Sequence, residues 1–112
     1  MKKILFASII ACAALSAGAA SVDGKTLYAD NCEVCHGTHG VGGKGAVKGP
    51  QLKEAAGWSP KLFVRAVRNG RDDDNKVLKA PMPMWKSTPL KGSGLPPTDA
   101  EIAAIQKYLK SK

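Results

Sequence analysis

The sequence predicts a small all-α domain with three main helices and long connecting loops, and three observations support this fold class. Apolar residues recur at helical spacing in three segments, cap residues stand at the segment ends, and no stretch alternates as a half-buried strand does. Most of the 12 glycines and 7 prolines fall between these segments. A length of 112 residues accommodates one domain.

The composition narrows the class of protein further. A hydrophobic content of 44% excludes a disordered chain, and the residue usage excludes collagen, a coiled coil, a disulfide-dense scaffold and a multi-domain enzyme. The chain has only 2 Trp, 2 Tyr and 2 Phe. Because small domains bury little surface per residue, we expect a large buried prosthetic group to complete the core.

The first 20 residues match a secretory signal peptide. Lys2 and Lys3 precede an apolar run at residues 4–15, and small residues follow it. This run is too short to span a bilayer, which takes ~20 residues. We expect cleavage after Ala20, with Ala19 as the alternative.

Cys12 permits a second interpretation, in which it carries the lipid of a bacterial lipoprotein. The apolar run continues past Cys12, which favours the signal peptide. Cleavage after residue 20 then leaves 92 residues with a net charge of +6, two cysteines, Cys32 and Cys35, and no further hydrophobic stretch. We therefore expect residues 21–112 to form one exported domain in the periplasm without a transmembrane segment. That compartment is oxidising, so this pair would form a disulfide unless another reaction consumes it.

The first predicted helix covers residues 23–35, with Asp23 as its N-cap. The next segment, residues 37–49, holds six glycines and predicts a flexible loop. A short helix is expected at residues 51–56, stopped by Gly57.

The second main helix begins at Ser59-Pro60, which suit the cap and the first turn, and ends at Asn69-Gly70. Residues 71–97 are rich in proline, glycine and charge, and we expect them to be irregular. The last helix opens at a capping box formed by Thr98 and Glu101, and its apolar face is Ile102, Ile105 and Leu109.

Cys32, Cys35 and His36 form the pattern C-x-x-C-H, the attachment signature of a c-type haem. Residues three and four apart share one face of a helix. Both sulfurs can therefore bond to the two vinyl groups of the porphyrin, while the imidazole turns onto the iron.

Two other interpretations of this motif are weaker. A thioredoxin-like redox pair needs a βαβ setting, and the sequence predicts none. A zinc site would use Cys32, Cys35, His36 and His39. Zinc ligands usually come in two separated pairs, whereas these four would crowd together.

The second axial ligand of the iron is expected to be a methionine. His39 lies three residues from His36, a span of at most about 10 Å, so it cannot reach the opposite face of the haem and is expected to be an exposed loop histidine. The mature chain keeps Met82 and Met84, and prolines flank Met82. These prolines favour a stiff, extended segment that presents the Met82 thioether. Met84, a lysine or an open site are the alternatives.

These motifs resemble those of a class I monohaem cytochrome c of the small bacterial type, over essentially all of residues 21–112. The resemblance implies the cytochrome c fold, in which three main helices and long loops surround one haem c attached through Cys32 and Cys35. The Gly-Pro-x-Leu element at residues 49–52 matches the family. It implies that the Pro50 carbonyl accepts a hydrogen bond from His36 and that Leu52 packs on the haem.

The Met-Pro-x-aromatic element of the family matches residues 82–85, which implies His36 and Met82 as iron ligands and Trp85 as a haem contact. Trp58 and Trp85 are expected to pack in the core, and either indole is alternatively a donor to a haem propionate. Residues 86–97 are longer than the family's minimal link. The family also crosses its first and last helices, which implies contacts among Gly24, Tyr28, Ile105 and Tyr108.

The expected function is that of a monomeric electron carrier rather than an enzyme, because two axial side chains leave the iron no open position. The surplus of lysine and arginine predicts redox partner proteins with acidic docking surfaces, and not nucleic acid. The basic side chains Lys61, Arg65 and Arg68 form either a solvated or a docking face. Alternative functions are an electron-transfer subunit of a larger periplasmic oxidoreductase, for example in sulfur-compound oxidation, and a haem-based ligand sensor.

Overall fold

The computed structural model describes residues 23–111. The expected signal peptide, with Cys12 and its cleavage site, lies outside the described residues. Within them the chain forms five α-helices and two 3-10 turns and no β-strand, which confirms the all-α prediction. The helices are α1 (Gly24–Asn31), α2 (Glu33–His36), α3 (Lys53–Ala56), α4 (Pro60–Asn69) and α5 (Asp99–Lys110), and the 3-10 turns are Thr38–Gly40 and Trp85–Ser87.

The prediction of one continuous helix over residues 23–35 is wrong, because the backbone breaks at Cys32. Cys32 has φ −120° and ψ −33°, and it separates α1 from α2. The side chain of Asn31 causes the break: its Nδ2 donates to the Leu27 carbonyl at 3.0 Å, and its Oδ1 accepts from the Lys91 amide at 2.8 Å. Side-chain amides that bond to nearby backbone groups compete with helix continuation.

The cap residues of α4 are those that the sequence predicts. Ser59 Oγ accepts from the Leu62 amide at 3.3 Å, and Gly70 ends the helix in the left-handed conformation at φ 67°. The preceding helix, α3, is shorter than predicted and begins at Lys53. The amide of Leu52 bonds instead to the carbonyl of Gly40 at 2.7 Å, which draws residues 51 and 52 out of the helix.

Helix α5 begins at the predicted capping box: the Thr98 amide donates to Glu101 Oε1 at 2.8 Å, and the Glu101 amide donates to Thr98 Oγ1 at 3.1 Å. It crosses α1 so closely that a Cβ on Gly24 would overlap the carbonyl of Ala104. The rings of Tyr28 and Tyr108 also meet across this crossing, with centroids 5.5 Å apart. The core lies beneath it and contains Tyr28, Ala56, Phe63, Ile102, Ile105 and Leu109.

Residues 71–97 are irregular, as predicted, but they are closely attached to the helices. The amide of Leu78 bonds to the Gly70 carbonyl at 2.8 Å and closes a tight loop over residues 71–77. Farther along, the side chain of Leu90 is only 3% exposed. The long segment 86–97 therefore covers the interior instead of extending into solvent.

Two arginines of the predicted basic face of α4 hold this irregular segment in place. Arg65 donates to the Asp72 carbonyl at 2.6 Å, and Arg68 donates to the Pro97 carbonyl at 3.1 Å. Arg68 also pairs with Asp99 at 2.6 Å. These guanidinium groups therefore serve the fold, which neither interpretation of the basic face anticipated.

Across residues 23–111, none of the helices combines the length and the apolar character that crossing a membrane would require.

Candidate haem-binding site

A cavity of about 510 Å³ opens between the helices and the irregular segment. Its walls are mainly apolar and come from α1, α4, α5 and the segments that flank them. This volume falls within the range of about 300–1,000 Å³ that is typical of ligand and cofactor sites. The small set of helices thus surrounds a space that is large for a domain of this size.

Six of the seven site residues expected from the sequence line this cavity, and the seventh, Cys35, is not among the residues of its wall. The structure therefore brings together side chains from the C-x-x-C-H motif, the Gly-Pro-x-Leu element and the Met-Pro-x-aromatic element. The six lining residues are Cys32, His36, Pro50, Leu52, Met82 and Trp85.

His36 is held in one orientation by the backbone of the Gly-Pro-x-Leu element. The side chain is only 8% exposed, and its Nδ1 lies 2.8 Å from the Pro50 carbonyl oxygen. A carbonyl oxygen only accepts, so Nδ1 carries the proton and Nε2 keeps a free lone pair. This is the arrangement of metal-ligating histidines, whose other ring nitrogen donates to a carbonyl or carboxylate.

The glycine-rich loop at residues 37–49 wraps around α2 through backbone hydrogen bonds. The Gly42 amide donates to the His36 carbonyl and the Gly49 amide to the Cys35 carbonyl, both at 2.7 Å. These bonds satisfy carbonyls that a helix end leaves open. A Cβ on Gly49 would come within 2.6 Å of the Cys35 oxygen and 3.0 Å of His36 Nδ1, which explains why glycine is needed there.

The two cysteines differ in their surroundings, because Cys32 lines the cavity and Cys35 is not among the residues of its wall. Burial, with a smaller effect of neighbouring Cys35, raises the pKa of the Cys32 thiol from 9.0 to about 12. The sulfur of Cys32 therefore lies in an apolar wall and stays protonated. Such a position suits a thioether, which carries no charge, better than a thiolate.

The two methionines of the segment after α4 occupy different environments. Met82 lines the cavity, whereas Met84 is 48% exposed and contacts Gly70. The expectation that Met82 lies in an extended segment is wrong, because its amide bonds to the Lys79 carbonyl at 3.2 Å and closes a turn. That turn places the side chain of Met82, with its thioether, at the cavity wall.

His39 is not the exposed loop histidine that the sequence suggested. Its ring packs on Tyr108, with centroids 4.4 Å apart, and Nε2 lies 2.6 Å from the Ser111 carbonyl oxygen. His39 thus attaches the glycine-rich loop to the end of α5.

In the described part of the chain no cluster of His, Cys, Asp and Glu is arranged to hold a metal ion, so the zinc alternative has no structural support.

The indole of Trp58 indicates whether the cavity suits a group that carries a hydrogen-bond acceptor. Its indole lines the wall, and its Nε1 is buried without a hydrogen-bond partner among residues 23–111. Leaving a buried donor unsatisfied costs about 1–3 kcal/mol. The propionate carboxylates of a haem would supply the missing acceptor, so the site fits a haem on its polar side as well as its apolar one.

Sequence reasoning missed three residues that build this site. Leu90 and Pro97 line the cavity from the segment 86–97, and Gln106 is a buried amide on α5. A leucine and a proline inside an irregular segment give no signal of their own. Gln106, which directly follows the apolar Ile105, is the one polar residue that the structure buries in the apolar face of this helix.

No solved structure was found to match this chain. A family model described as cytochrome c matches residues 21–112, which is most of the sequence. Members of this family carry haem c on paired cysteines, and here the cofactor is one haem c attached through Cys32 and Cys35. The match, the C-x-x-C-H motif and the apolar cavity beside it agree, and the chain therefore belongs to the cytochrome c family, as a small monohaem member of class I.

Proposed function

We propose that this protein is a periplasmic electron carrier that shuttles single electrons through its haem c, with His36 and Met82 as the two axial ligands. A haem-based electron-transfer role follows from the family. The observation that supports the finer proposal is the single cavity that His36, Cys32 and Met82 line together.

When bound, haem c supplies a one-electron Fe(II)/Fe(III) couple, which histidine and methionine ligation shifts to higher potential. The residues of the chain fix and shield that couple. Pro50 orients the imidazole of His36, the Lys79–Met82 turn presents the thioether, and Leu52 and Leu90 exclude water. With both axial positions filled by side chains, no site remains for a substrate, and we therefore propose a carrier and not an enzyme.

The basic charge of the exported chain supports the proposed acidic partners, whereas the opening of the cavity carries both signs of charge. Six of its wall residues are exposed, and they include the cationic Lys76 and Lys79, the anionic Glu54 and three uncharged residues, Pro50, Gln51 and Val77. Residues 21–112 carry a net charge of +6. A surplus of positive charge favours weak, fast encounters with an acidic surface.

The proposed ligand is tested with two matched variants of the exported holoprotein. Met82→Ala is expected to abolish the weak red-region band that a sulfur-to-iron bond gives in the oxidised form. Met84→Ala removes a methionine two residues away and is expected to keep that band. The reverse pattern would assign Met84 as the ligand and contradict the proposal.

The proposed shuttle is separated from its alternatives by two measurements on the native protein. A free carrier elutes alone as a monomer at high salt, whereas an oxidoreductase subunit copurifies with a large partner. The reduced carrier is expected to bind carbon monoxide slowly at neutral pH, because Met82 occupies the iron. Rapid binding would favour the sensor.

The proposed export is tested by the intact mass of the protein from its native host. Cleavage after residue 20 gives a chain that begins at Ser21. A diacylglycerol on Cys12 would instead identify a lipoprotein.

A further inference from the structure

Gln106 is a buried amide in the apolar face of α5. Its side chain is 4% exposed and lies among core residues of the same helix, Ile102, Ile105 and Leu109. Burying an amide is unfavourable unless it finds partners. A leucine would fill this position at no such cost, so the partners of Gln106 indicate what the amide does.

Both hydrogen bonds of the Gln106 side chain go to the turn between α3 and α4. Its Nε2 donates to the Trp58 carbonyl at 2.8 Å and to the Ala56 carbonyl at 3.2 Å. The same turn is closed from within, since the Trp58 amide bonds to the Ala55 carbonyl at 3.1 Å. Both the amide and the carbonyl of Trp58 are therefore hydrogen-bonded. The partner of the carbonyl is Gln106, 48 positions away along the chain.

These two hydrogen bonds hold the backbone of Trp58, and the backbone in turn directs the indole. The indole lines the haem cavity, and its Nε1 is buried without a partner in the described part of the chain. The adjoining residue Ser59 caps α4, so the turn is also bounded on its far side. A small rotation of the Trp58 backbone would move the N–H along the cavity wall.

We propose that Gln106 is the positioning residue for Trp58: it holds the Trp58 carbonyl so that the indole N–H meets a carboxylate of the haem and sets its reduction potential. The inference rests on the proposed electron-carrier function. A donor at the carboxylate offsets its negative charge. When the donor is displaced, that charge stabilises the ferric form, and the potential falls.

The test is the reduction potential of the holoprotein in Gln106→Met, Trp58→Phe and the double variant. Methionine is unbranched and fills space similar to that of glutamine without donating. Gln106→Met is expected to disfavour reduction about threefold, which is ~28 mV at about 59 mV per tenfold for one electron. In the Trp58→Phe background the same substitution is expected to cause no further shift.

Ile102→Val is the matched control, because Ile102 is fully buried on the same helix and does not contact the turn through a hydrogen bond. It lowers stability by about 0.5–1.5 kcal/mol and is expected to leave the potential unchanged. Exchange of the Trp58 indole hydrogen with solvent is expected to accelerate in Gln106→Met and not in Ile102→Val. Gln106→Leu replaces Gln106→Met if the latter does not accumulate as holoprotein.

A wild-type potential in the Gln106 variants, or an equal shift with and without Trp58, would overturn the proposal. Failure of the proposed function is a separate result, since the wild-type protein would then copurify with a large partner at high salt or bind carbon monoxide rapidly.

Discussion

The hydroxyl of Tyr28 donates a hydrogen bond of 2.6 Å to the carbonyl oxygen of Gly37. This contact joins α1 to the residue that directly follows His36, across the helix break at Cys32. Tyr28 is fully buried, and burial raises its pKa from 10.0 to about 12. The hydroxyl thus links α1 to Gly37, and it loses its proton only in alkaline solution.

Tyr28→Phe is expected to lower the free energy of unfolding by about 0.5–1.5 kcal/mol at neutral pH, the usual worth of one hydrogen bond. Because the pKa of Tyr28 is higher in the folded state, the unfolded chain loses this proton first as the pH rises. The contribution of the hydroxyl is therefore complete below pH 10 and is lost between about pH 10 and 12. Denaturant unfolding at neutral pH and above pH 10 is expected to show a gap between wild type and variant that narrows with pH. A gap that stays constant would contradict the assignment.

Gly24→Ala is expected to destabilise the protein by about 1–3 kcal/mol or more, because the added Cβ would overlap the Ala104 carbonyl where α1 crosses α5. Gly45→Ala is the matched control, since nothing lies within 4 Å of a Cβ at that position. The control is expected to keep its thermal midpoint or gain slightly. Equal midpoints for both variants would show that the helix crossing is looser than described.

Leu90→Ala is expected to cost about 2–5 kcal/mol, because this side chain is 3% exposed and forms part of the cavity wall. Leu95, whose carbonyl accepts the Leu90 amide, is 65% exposed. Leu95→Ala in the same segment is expected to cost under about 0.5 kcal/mol. Chemical denaturation of the two variants checks the difference, and similar losses would mean that segment 86–97 does not cover the interior.

Arg68→Ala is expected to destabilise the protein more than Asp99→Asn does. The Arg68–Asp99 pair is largely exposed on the aspartate side, at 77%, and exposed ion pairs contribute about 0–1 kcal/mol. Arg68 also donates to the Pro97 carbonyl at 3.1 Å, and a hydrogen bond from a charged group is worth about 1.5–3 kcal/mol. Unfolding of the two single variants and the double variant separates these contributions. If the aspartate variant loses as much as the arginine variant, the ion pair dominates and the Pro97 contact does not.

The parts of the fold that could be predicted depend on neighbours in sequence. Ser59, Gly70 and the Thr98–Glu101 box act within four residues of themselves, so their roles are visible in the chain. The C-x-x-C-H motif is likewise local, and it predicted the cofactor.

The parts that could not be predicted depend on contacts between distant segments. The break at Cys32 arises because Asn31 bonds to Lys91, 60 residues away. His39 is partly buried because Ser111 and Tyr108 arrive from the far end of the chain. The arginines of α4 resembled a docking face because their backbone partners lie in a segment without a recognisable pattern.

The loop amides that bind the carbonyls of Cys35 and His36 have a consequence for the biogenesis of the protein. Those bonds form only once the glycine-rich loop has closed around α2, and in the closed fold partial burial raises the pKa of the Cys32 thiol to about 12. Sulfur reacts as the thiolate, so a chain that folds first is a poor recipient of its cofactor. We therefore expect covalent attachment of the haem to proceed more readily before the loop closes than after it.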